Sequence, residues 1–206
     1  MKQTSFFATL VVTLFVSGTL EQAYGQATAQ QTSSQAAKND AKDDRLFPLE
    51  EKAGSERYGK LLSIEGKAPP SIADGTTPLN GAAADWAQFE GKVVLIDFWG
   101  VWCGPCRASI PHLKELHEKH KDEGLVVLGI HTKNQAEKGP DFVKEEKIPY
   151  PVLFDTTGEI VKRFYVNSYP DYYLIDHTGK LRFADLPNKQ ADKAIELLLK
   201  ERNEKK

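Results

Sequence analysis

The stretch DFWGVWCGPC, residues 97–106, decides the fold of this chain. It contains both cysteines of the sequence, Cys103 and Cys106, and a Gly-Pro dipeptide separates them. An apolar run typical of a buried strand comes directly before it, and a helical pattern follows it. A helix that begins at the cysteines directs backbone N–H groups and the positive end of its dipole at the first sulfur, which favours the thiolate. Since the thiolate is the form that attacks disulfides, the stretch indicates a site that exchanges electrons with other thiols.

Zinc binding and a purely structural disulfide are the alternative interpretations of a Cys-x-x-Cys pair. Zinc requires two further ligands, usually a second Cys or His pair. The candidates His117 and His120 belong to a charged helical stretch and have no reason to converge on the cysteines. Two cysteines are also too few for a fold stapled by disulfides. We therefore expect redox chemistry with no metal and no other cofactor.

The pattern outward from this stretch is that of an α/β domain. Residues 93–99 are apolar except for Asp97, as expected for a strand buried on both faces. An acid in such a strand is costly to ionise, so burial should raise the pKa of Asp97. His131 follows a second apolar run and is either an edge residue of the active site or an ordinary strand-end residue. Further strands are predicted at 125–130, 152–154, 172–175 and 180–183, and helices at 105–122, 136–147 and 189–201.

The cysteine segment and its flanks resemble the thioredoxin superfamily, and in particular its exported TlpA-like branch. The motifs that carry the resemblance occur in order: GKAPP at 66–70, LN at 79–80, VVLIDFW at 93–99, WCGPCR at 102–107, YP at 169–170 and LIDHTGK at 174–180. The resemblance covers residues 66–203. It implies an α/β thioredoxin fold, with a central mixed sheet flanked by helices and an N-terminal β-hairpin extension.

The resemblance also implies roles for the residues of the site. Cys103 comes first, at the helix start, and is the expected nucleophile, whereas Cys106 is the expected resolving thiol. Asp97 matches the buried acid that exchanges a proton with the second cysteine, although an acid hydrogen-bonded to the backbone at a strand end is an alternative. Pro170 matches a cis-proline that faces the disulfide, with a trans proline in an ordinary turn as the alternative.

The surface that binds the substrate is expected to surround the cysteines. Trp102 and Tyr169 offer aromatic side chains there, and Tyr169 stands where the family often has Gly or Thr. Gly104 and Pro105 shape the turn at the helix start, where a proline is tolerated because its missing N–H would be unpaired anyway. Ser109 stands where TlpA-like reductases often have Glu, so a second acid that would tune the thiols is missing.

The N-terminal part has the features of a leader and a linker. Lys2, an apolar run and two small residues before Gln26 have the layout of a secretory signal peptide, which we assign to residues 1–25. An uncleaved signal that anchors the protein in a membrane is the alternative. Residues 26–65 are predicted to form a disordered or loosely packed linker, and residues 66–206 the thioredoxin-like domain.

The bulk properties restrict the class of function. A formal net charge of −2 gives no electrostatic basis for binding nucleic acid, which favours a basic surface. The expected function is an exported, monomeric thiol:disulfide oxidoreductase of periplasmic or other extracytoplasmic location. It acts on protein thiols and disulfides as a reductant, and a membrane thiol protein supplies its electrons. A redox-inert binding module and a thiol peroxidase on the same fold are the alternatives.

Overall fold

The computed structural model describes residues 46–81 and 85–205. The predicted signal peptide, residues 1–25, lies outside the described residues, as does the first part of the predicted linker, residues 26–45. Both assignments therefore stay predictions.

A six-stranded mixed sheet forms the centre of the domain, which confirms the central mixed sheet that the resemblance implied. Its strands are β1 (Thr76–Asn80), β2 (Val93–Trp99), β3 (Leu125–His131), β4 (Val152–Asp155), β5 (Asp171–Ile175) and β6 (Leu181–Leu186). They lie in the order β1-β4-β3-β2-β5-β6. The pairs β2–β3 and β3–β4 are parallel, and the pairs β1–β4, β2–β5 and β5–β6 are antiparallel. The cysteine segment thus follows directly from a central strand.

Helices cover both faces of the sheet: α1 (Glu56–Ile64), α2 (Gly104–His120), α3 (Gly139–Glu145), α4 (Glu159–Arg163) and α5 (Ala191–Glu204). All residues of β2 are buried, and its apolar side chains alternate between two clusters. The odd-numbered ones pack in the cluster that contains Cys106 and the buried residues of α2 and α5. The even-numbered ones pack in the opposite cluster, with Leu61 of α1 and Ile160 of α4. Because side chains alternate along a strand, Asp97 points to the side of Cys106.

The predicted N-terminal β-hairpin is not formed, and a single strand, β1, precedes β2 in the described residues. Pro69 and Pro70 have no backbone N–H to donate, which prevents a regular ladder at that point. Gly66 instead donates its N–H to the Leu181 carbonyl oxygen (2.7 Å), and the Leu181 N–H binds the Lys67 carbonyl oxygen (2.9 Å). The extension therefore contacts β6 at one end and pairs through β1 with β4 at the other.

The described part of the predicted linker, residues 46–65, is packed on the domain instead of loose. Its helix α1 is capped by the Ser55 side chain, which accepts a backbone N–H of the first turn. Leu61 is fully buried, and the Phe47 ring contacts the edge of the Phe183 ring, with centroids 4.9 Å apart. A few apolar residues, on the helix and before it, are enough to dock this segment, although its overall composition is polar. Residues 46–65 therefore pack as part of the folded domain, although the sequence predicted that the domain starts at residue 66.

Candidate active site

The two cysteines lie at the N-terminal end of α2 and form a disulfide, with Cα atoms 5.3 Å apart. Cys103 is the N-cap residue, and its sulfur accepts the backbone N–H of Cys106 at 3.2 Å. Cys103 is 5% exposed, whereas Cys106 is fully buried. An N-cap sulfur that already faces a backbone donor and the positive end of a helix dipole is placed to be stabilised as a thiolate once the disulfide is reduced.

Gly104 and Pro105 form the exposed first turn of this helix. A side chain at Gly104 would meet no heavy atom within 4 Å, so that position borders open space. Pro105 lies in the first turn, where no intrahelical partner for its nitrogen is needed. Both residues of the turn between the cysteines therefore face solvent.

Trp102 and Tyr169, two of the predicted substrate-binding residues, are brought together beside the disulfide. Their rings meet edge to face with centroids 5.4 Å apart, and Trp102 remains 41% exposed. The indole lies close over Gly100, where a Cβ atom would come within 2.7 Å of its Nε1 atom. Gly100 is thus a site residue that the sequence did not single out, and its lack of a side chain gives Trp102 its position.

The peptide bond between Tyr169 and Pro170 is cis. These two residues belong to the loop that joins α4 to β5, and the loop reaches the cysteine end of the sheet through the ring contact with Trp102. The structure therefore brings Pro170 and Tyr169 to the same surface as the start of α2.

Asp97 is buried within β2, with 1% of its surface exposed. Its Oδ1 atom makes no hydrogen bond within the described part of the chain, which argues against an acid fully paired with the backbone. Burial raises its pKa from 3.8 to about 8. The strand register places Tyr172 of β5 opposite Asp97. Burial raises the pKa of Tyr172 and of Tyr150, and the nearby Asp97 charge adds to both shifts. A carboxyl with a pKa near 8 can both hold and accept a proton near neutral pH.

Ser109 donates its hydroxyl hydrogen to the Cys106 carbonyl oxygen at 2.8 Å. It lies three residues after the second cysteine, at the position where the resemblance had led us to look for a second acid. A hydroxyl carries no charge, so Ser109 supplies no acid in addition to Asp97.

His131, at the end of β3, holds the loop that carries the cysteines. It is fully buried, its Nε2 atom accepts the Val101 N–H at 3.0 Å, and its Nδ1 atom lies 2.5 Å from the Thr132 carbonyl oxygen. A backbone N–H only donates, so the ring proton is on Nδ1 and the imidazole is neutral. Burial lowers the pKa of His131, and the Trp99 ring packs against it edge to face at 4.8 Å. The sequence had given His131 two interpretations, and the structure places it directly behind the active-site loop.

The described residues contain neither a metal-binding cluster nor a membrane-spanning helix. No group of three or more His, Cys, Asp or Glu side chains in residues 46–81 and 85–205 is arranged to hold a metal ion. Within the same ranges, no helix combines the length and the apolar character needed to cross a membrane.

Comparisons with known proteins agree with this chemistry. The family model described as Redoxin matches residues 64–198. A thiol-disulfide oxidoreductase ResA from Bacillus thuringiensis is 33% identical over 135 residues, which are 66% of this chain and 76% of the relative. ResA from Bacillus subtilis is 27% identical over 123 residues, covering 60% of this chain and 68% of the relative.

Solved structures of thiol-disulfide oxidoreductases are also similar to this chain. A putative thiol:disulfide interchange protein DsbE from Chlorobium tepidum has a TM-score of 0.56 and 26% identity, covering 67% of this chain and 96% of that chain. A secreted disulfide oxidoreductase from Mycobacterium tuberculosis has a TM-score of 0.52 and 25% identity, covering 60% and 94% respectively.

Proposed function

Because this chain belongs to the Redoxin family and is a TlpA-like thiol-disulfide oxidoreductase of the thioredoxin superfamily, we propose that it is an exported reductant of protein disulfides that works through Cys103 and Cys106. One observation carries the proposal. The sulfur of Cys103 lies at the N-cap of α2, accepts a backbone N–H, and has the exposed Trp102 beside it, whereas Cys106 is fully buried behind it.

The reduced enzyme begins the reaction. The Cys103 thiolate attacks one sulfur of a substrate disulfide, so that a mixed disulfide forms and the other substrate sulfur leaves as a thiolate that takes up a proton from water. The Cys106 thiol then loses its proton and attacks the Cys103 sulfur. The second substrate thiolate leaves, and the enzyme disulfide closes. Two electrons have passed from the enzyme to the substrate.

Asp97 is the proposed acceptor of the Cys106 proton. It points to the same side of β2 as Cys106, and burial raises its pKa to about 8. A base of that pKa matches a thiol, whose ordinary pKa is about 8.5, closely enough to exchange a proton efficiently near neutral pH. Removing the charge from Asp97 by protonation also leaves the buried pocket neutral in the oxidised state.

The substrate binds across Trp102, Tyr169 and Pro170. The two aromatic rings provide an apolar surface with little conformational freedom, which suits contact with many different polypeptides. An extended substrate segment that lies along the Tyr169–Pro170 loop would place its sulfur at Cys103 and use backbone hydrogen bonds for affinity.

The direction of electron flow is proposed from the dipeptide between the cysteines. Gly-Pro contains no histidine whose positive charge would stabilise the Cys103 thiolate and thus the reduced form. The enzyme is then a reductant, and in an oxidising compartment a membrane thiol protein must supply its electrons.

Export and organisation complete the proposal. Residues 1–25 are the signal peptide, residues 26–45 the linker, and the folded domain starts by residue 46 and acts as a monomer. One solved relative is described as secreted, which supports an extracytoplasmic location.

Cysteine variants test the proposal. Cys106→Ser should accumulate mixed disulfides with protein substrates through Cys103, because the resolving thiol is missing. Cys103→Ser is the matched control and should accumulate none. Non-reducing gels after acid quenching would show the adducts, and equal trapping by the two variants would contradict the assigned roles.

A further inference from the structure

Arg57, in the first turn of α1, binds four oxygen atoms at once. Its side chain is only 14% exposed. The guanidinium donates from Nε to the Tyr165 carbonyl oxygen (2.6 Å), from Nη1 to Glu51 (3.0 Å), and from Nη2 to Asp171 (3.0 Å) and Asp185 (2.9 Å). Both edges of the planar fork are therefore used, which a lysine ammonium could not reproduce.

Two of these partners are the ends of one loop. The segment 165–171, which we call the loop, covers most of the connection from α4 to β5 together with Asp171, the first residue of β5, and it carries Tyr169 and Pro170. Arg57 binds the carbonyl oxygen of its first residue, Tyr165, and the carboxylate of its last, Asp171. Glu51 is ion-paired with Arg57 and also accepts a hydrogen bond from the Asn167 side chain in the middle of the loop, at 3.4 Å. The segment before residue 66 thus contacts the loop at three points.

The backbone of the loop needs such support at its start. Tyr165 has a φ of 59°, in the left-handed region that a bulky side chain rarely adopts, and its carbonyl oxygen is the one bound by Arg57. At the other end, the Tyr173 hydroxyl donates its hydrogen to the Phe164 carbonyl oxygen at 2.7 Å, and the same hydroxyl oxygen lies 3.3 Å from a carboxylate oxygen of Asp171. The two ends are therefore tied to each other as well as to α1.

The surrounding carboxylates allow the buried Arg57 to stay charged while it binds the loop. Burial raises the pKa of Asp171, and the adjacent Asp185 raises it further, whereas Arg57 lowers it. For Arg57 burial alone would lower the pKa, but the hydrogen bond to Asp185 and the surrounding carboxylates raise it. Removing one charged partner from such a buried group leaves another charge unpaired, which is costly. The observed arrangement, in which each charge has a partner, is therefore favoured over arrangements that separate them.

We propose that Arg57 is a positioning residue for the substrate-binding loop 165–171, so that the segment 46–65 is a working part of the enzyme. The inference rests on the proposed function, because it assumes that Tyr169 and Pro170 contact the substrate. The disulfide itself is held by β2 and α2. We call the contacts of Arg57 with Tyr165, Glu51, Asp171 and Asp185 the clamp. Loss of the clamp should affect the recognition of proteins and leave the reaction with small thiols unchanged.

Arg57→Gln tests whether protein recognition can be impaired without a change in the reaction with small thiols. The KM for insulin as protein substrate should rise by about tenfold, the effect of roughly 1.4 kcal/mol in substrate binding. The rate at which glutathione reduces the enzyme disulfide and the midpoint potential of the cysteine pair should stay at their wild-type values. Arg163→Gln is the matched control: it also removes one arginine, which binds the Ser71 carbonyl oxygen at 3.1 Å but is bound to no residue of the loop.

A second measurement does not depend on activity. Backbone hydrogen exchange in the wild-type protein and the two variants should show faster exchange in residues 165–171 for Arg57→Gln alone. If the single variant fails to fold, the triple variant Arg57→Met with Asp171→Asn and Asp185→Asn removes the arginine together with its two most buried carboxylates and leaves the more exposed Glu51, and it should give the same KM increase and exchange pattern.

The outcomes separate this inference from the proposed function. A wild-type KM together with unchanged exchange in the Arg57 variant would overturn the clamp and leave the proposed function intact. Equal losses with insulin and with glutathione would also overturn it, because they would indicate a general structural role. A wild-type protein that reduces no insulin would overturn the proposed function and the inference together.

Discussion

Replacing Asp97 with asparagine should stabilise the folded protein by an amount that grows with pH. The side chain is 1% exposed, and burial raises its pKa from 3.8 to about 8. Below about pH 4 the carboxyl holds its proton in both the folded and the unfolded state, so ionisation costs nothing. Between the two pKa values the unfolded chain ionises while the folded protein keeps the proton, and the free energy of unfolding falls by about 1.4 kcal/mol per pH unit.

The size of the effect follows from the same two pKa values. Above about pH 8 both states are ionised, and the full cost of the buried charge is on the order of 5 kcal/mol. Asp97→Asn removes this cost but leaves a buried amide, whose own penalty of about 1–3 kcal/mol does not vary with pH. The pH dependence of the difference between variant and wild type is therefore the informative quantity.

Denaturant unfolding of the oxidised proteins from about pH 5 to about pH 9 measures this pH dependence. The difference in unfolding free energy should rise steadily up to about pH 8 and then level off. Asp122→Asn makes the same substitution at an exposed position and should show a difference within about 0.5 kcal/mol at every pH. Parallel pH profiles for wild type and Asp97→Asn would refute the raised pKa.

Four further predictions concern the active site and the predicted signal peptide. Asp97→Asn should slow the resolution of the mixed disulfide by about 100-fold in stopped-flow assays near neutral pH, and unchanged rates would reject the proton-transfer role. His131→Phe cannot accept the loop N–H and should lower the unfolding free energy by about 1–3 kcal/mol, and equal stability would show that the hydrogen bond is dispensable. Gly100→Ala should displace Trp102 and raise the KM for insulin without changing the reaction with glutathione, whereas an unchanged KM would remove that indole from the binding surface. Intact-mass analysis of the exported protein should find a mature N-terminus near Gln26, and a retained leader in the membrane fraction would favour an anchor.

The central part of the fold could be predicted because its signals are local. A continuous apolar run predicted β2, and the helical pattern after the cysteines predicted a helix at 105–122, close to the observed Gly104–His120. The raised pKa of Asp97 also followed from sequence, since an acid inside an apolar strand has few ways to remain solvated.

The clamp formed by Arg57 could not be predicted, because the residues that form it are far apart in sequence. Arg57 is 114 residues from Asp171 and 128 residues from Asp185, and each of the three would pass as a surface charge. A polar composition therefore suggested a linker for 26–65, whereas a few contacts were enough to dock residues 46–65. The prediction of an N-terminal β-hairpin was wrong, because Pro69 and Pro70 lack the backbone N–H groups that a regular ladder needs.

The supporting residues of the site were missed because their roles depend on tertiary contacts. A single histidine at a strand end is usually unremarkable, and only the fold shows that His131 accepts the Val101 N–H. Gly100 similarly has no local signal, since its importance comes from the indole that lies over it.

The midpoint potential of the Cys103–Cys106 pair tests the proposed role as a reductant most directly. Equilibration with mixtures of reduced and oxidised glutathione, followed by the fluorescence of the tryptophans near the cysteines, would give it. Since the Gly-Pro dipeptide adds no positive charge beside the thiolate, the potential should lie near about −270 mV, close to that of thioredoxin. A value above about −180 mV, the level of protein disulfide isomerase, would mean that the enzyme oxidises its substrates instead.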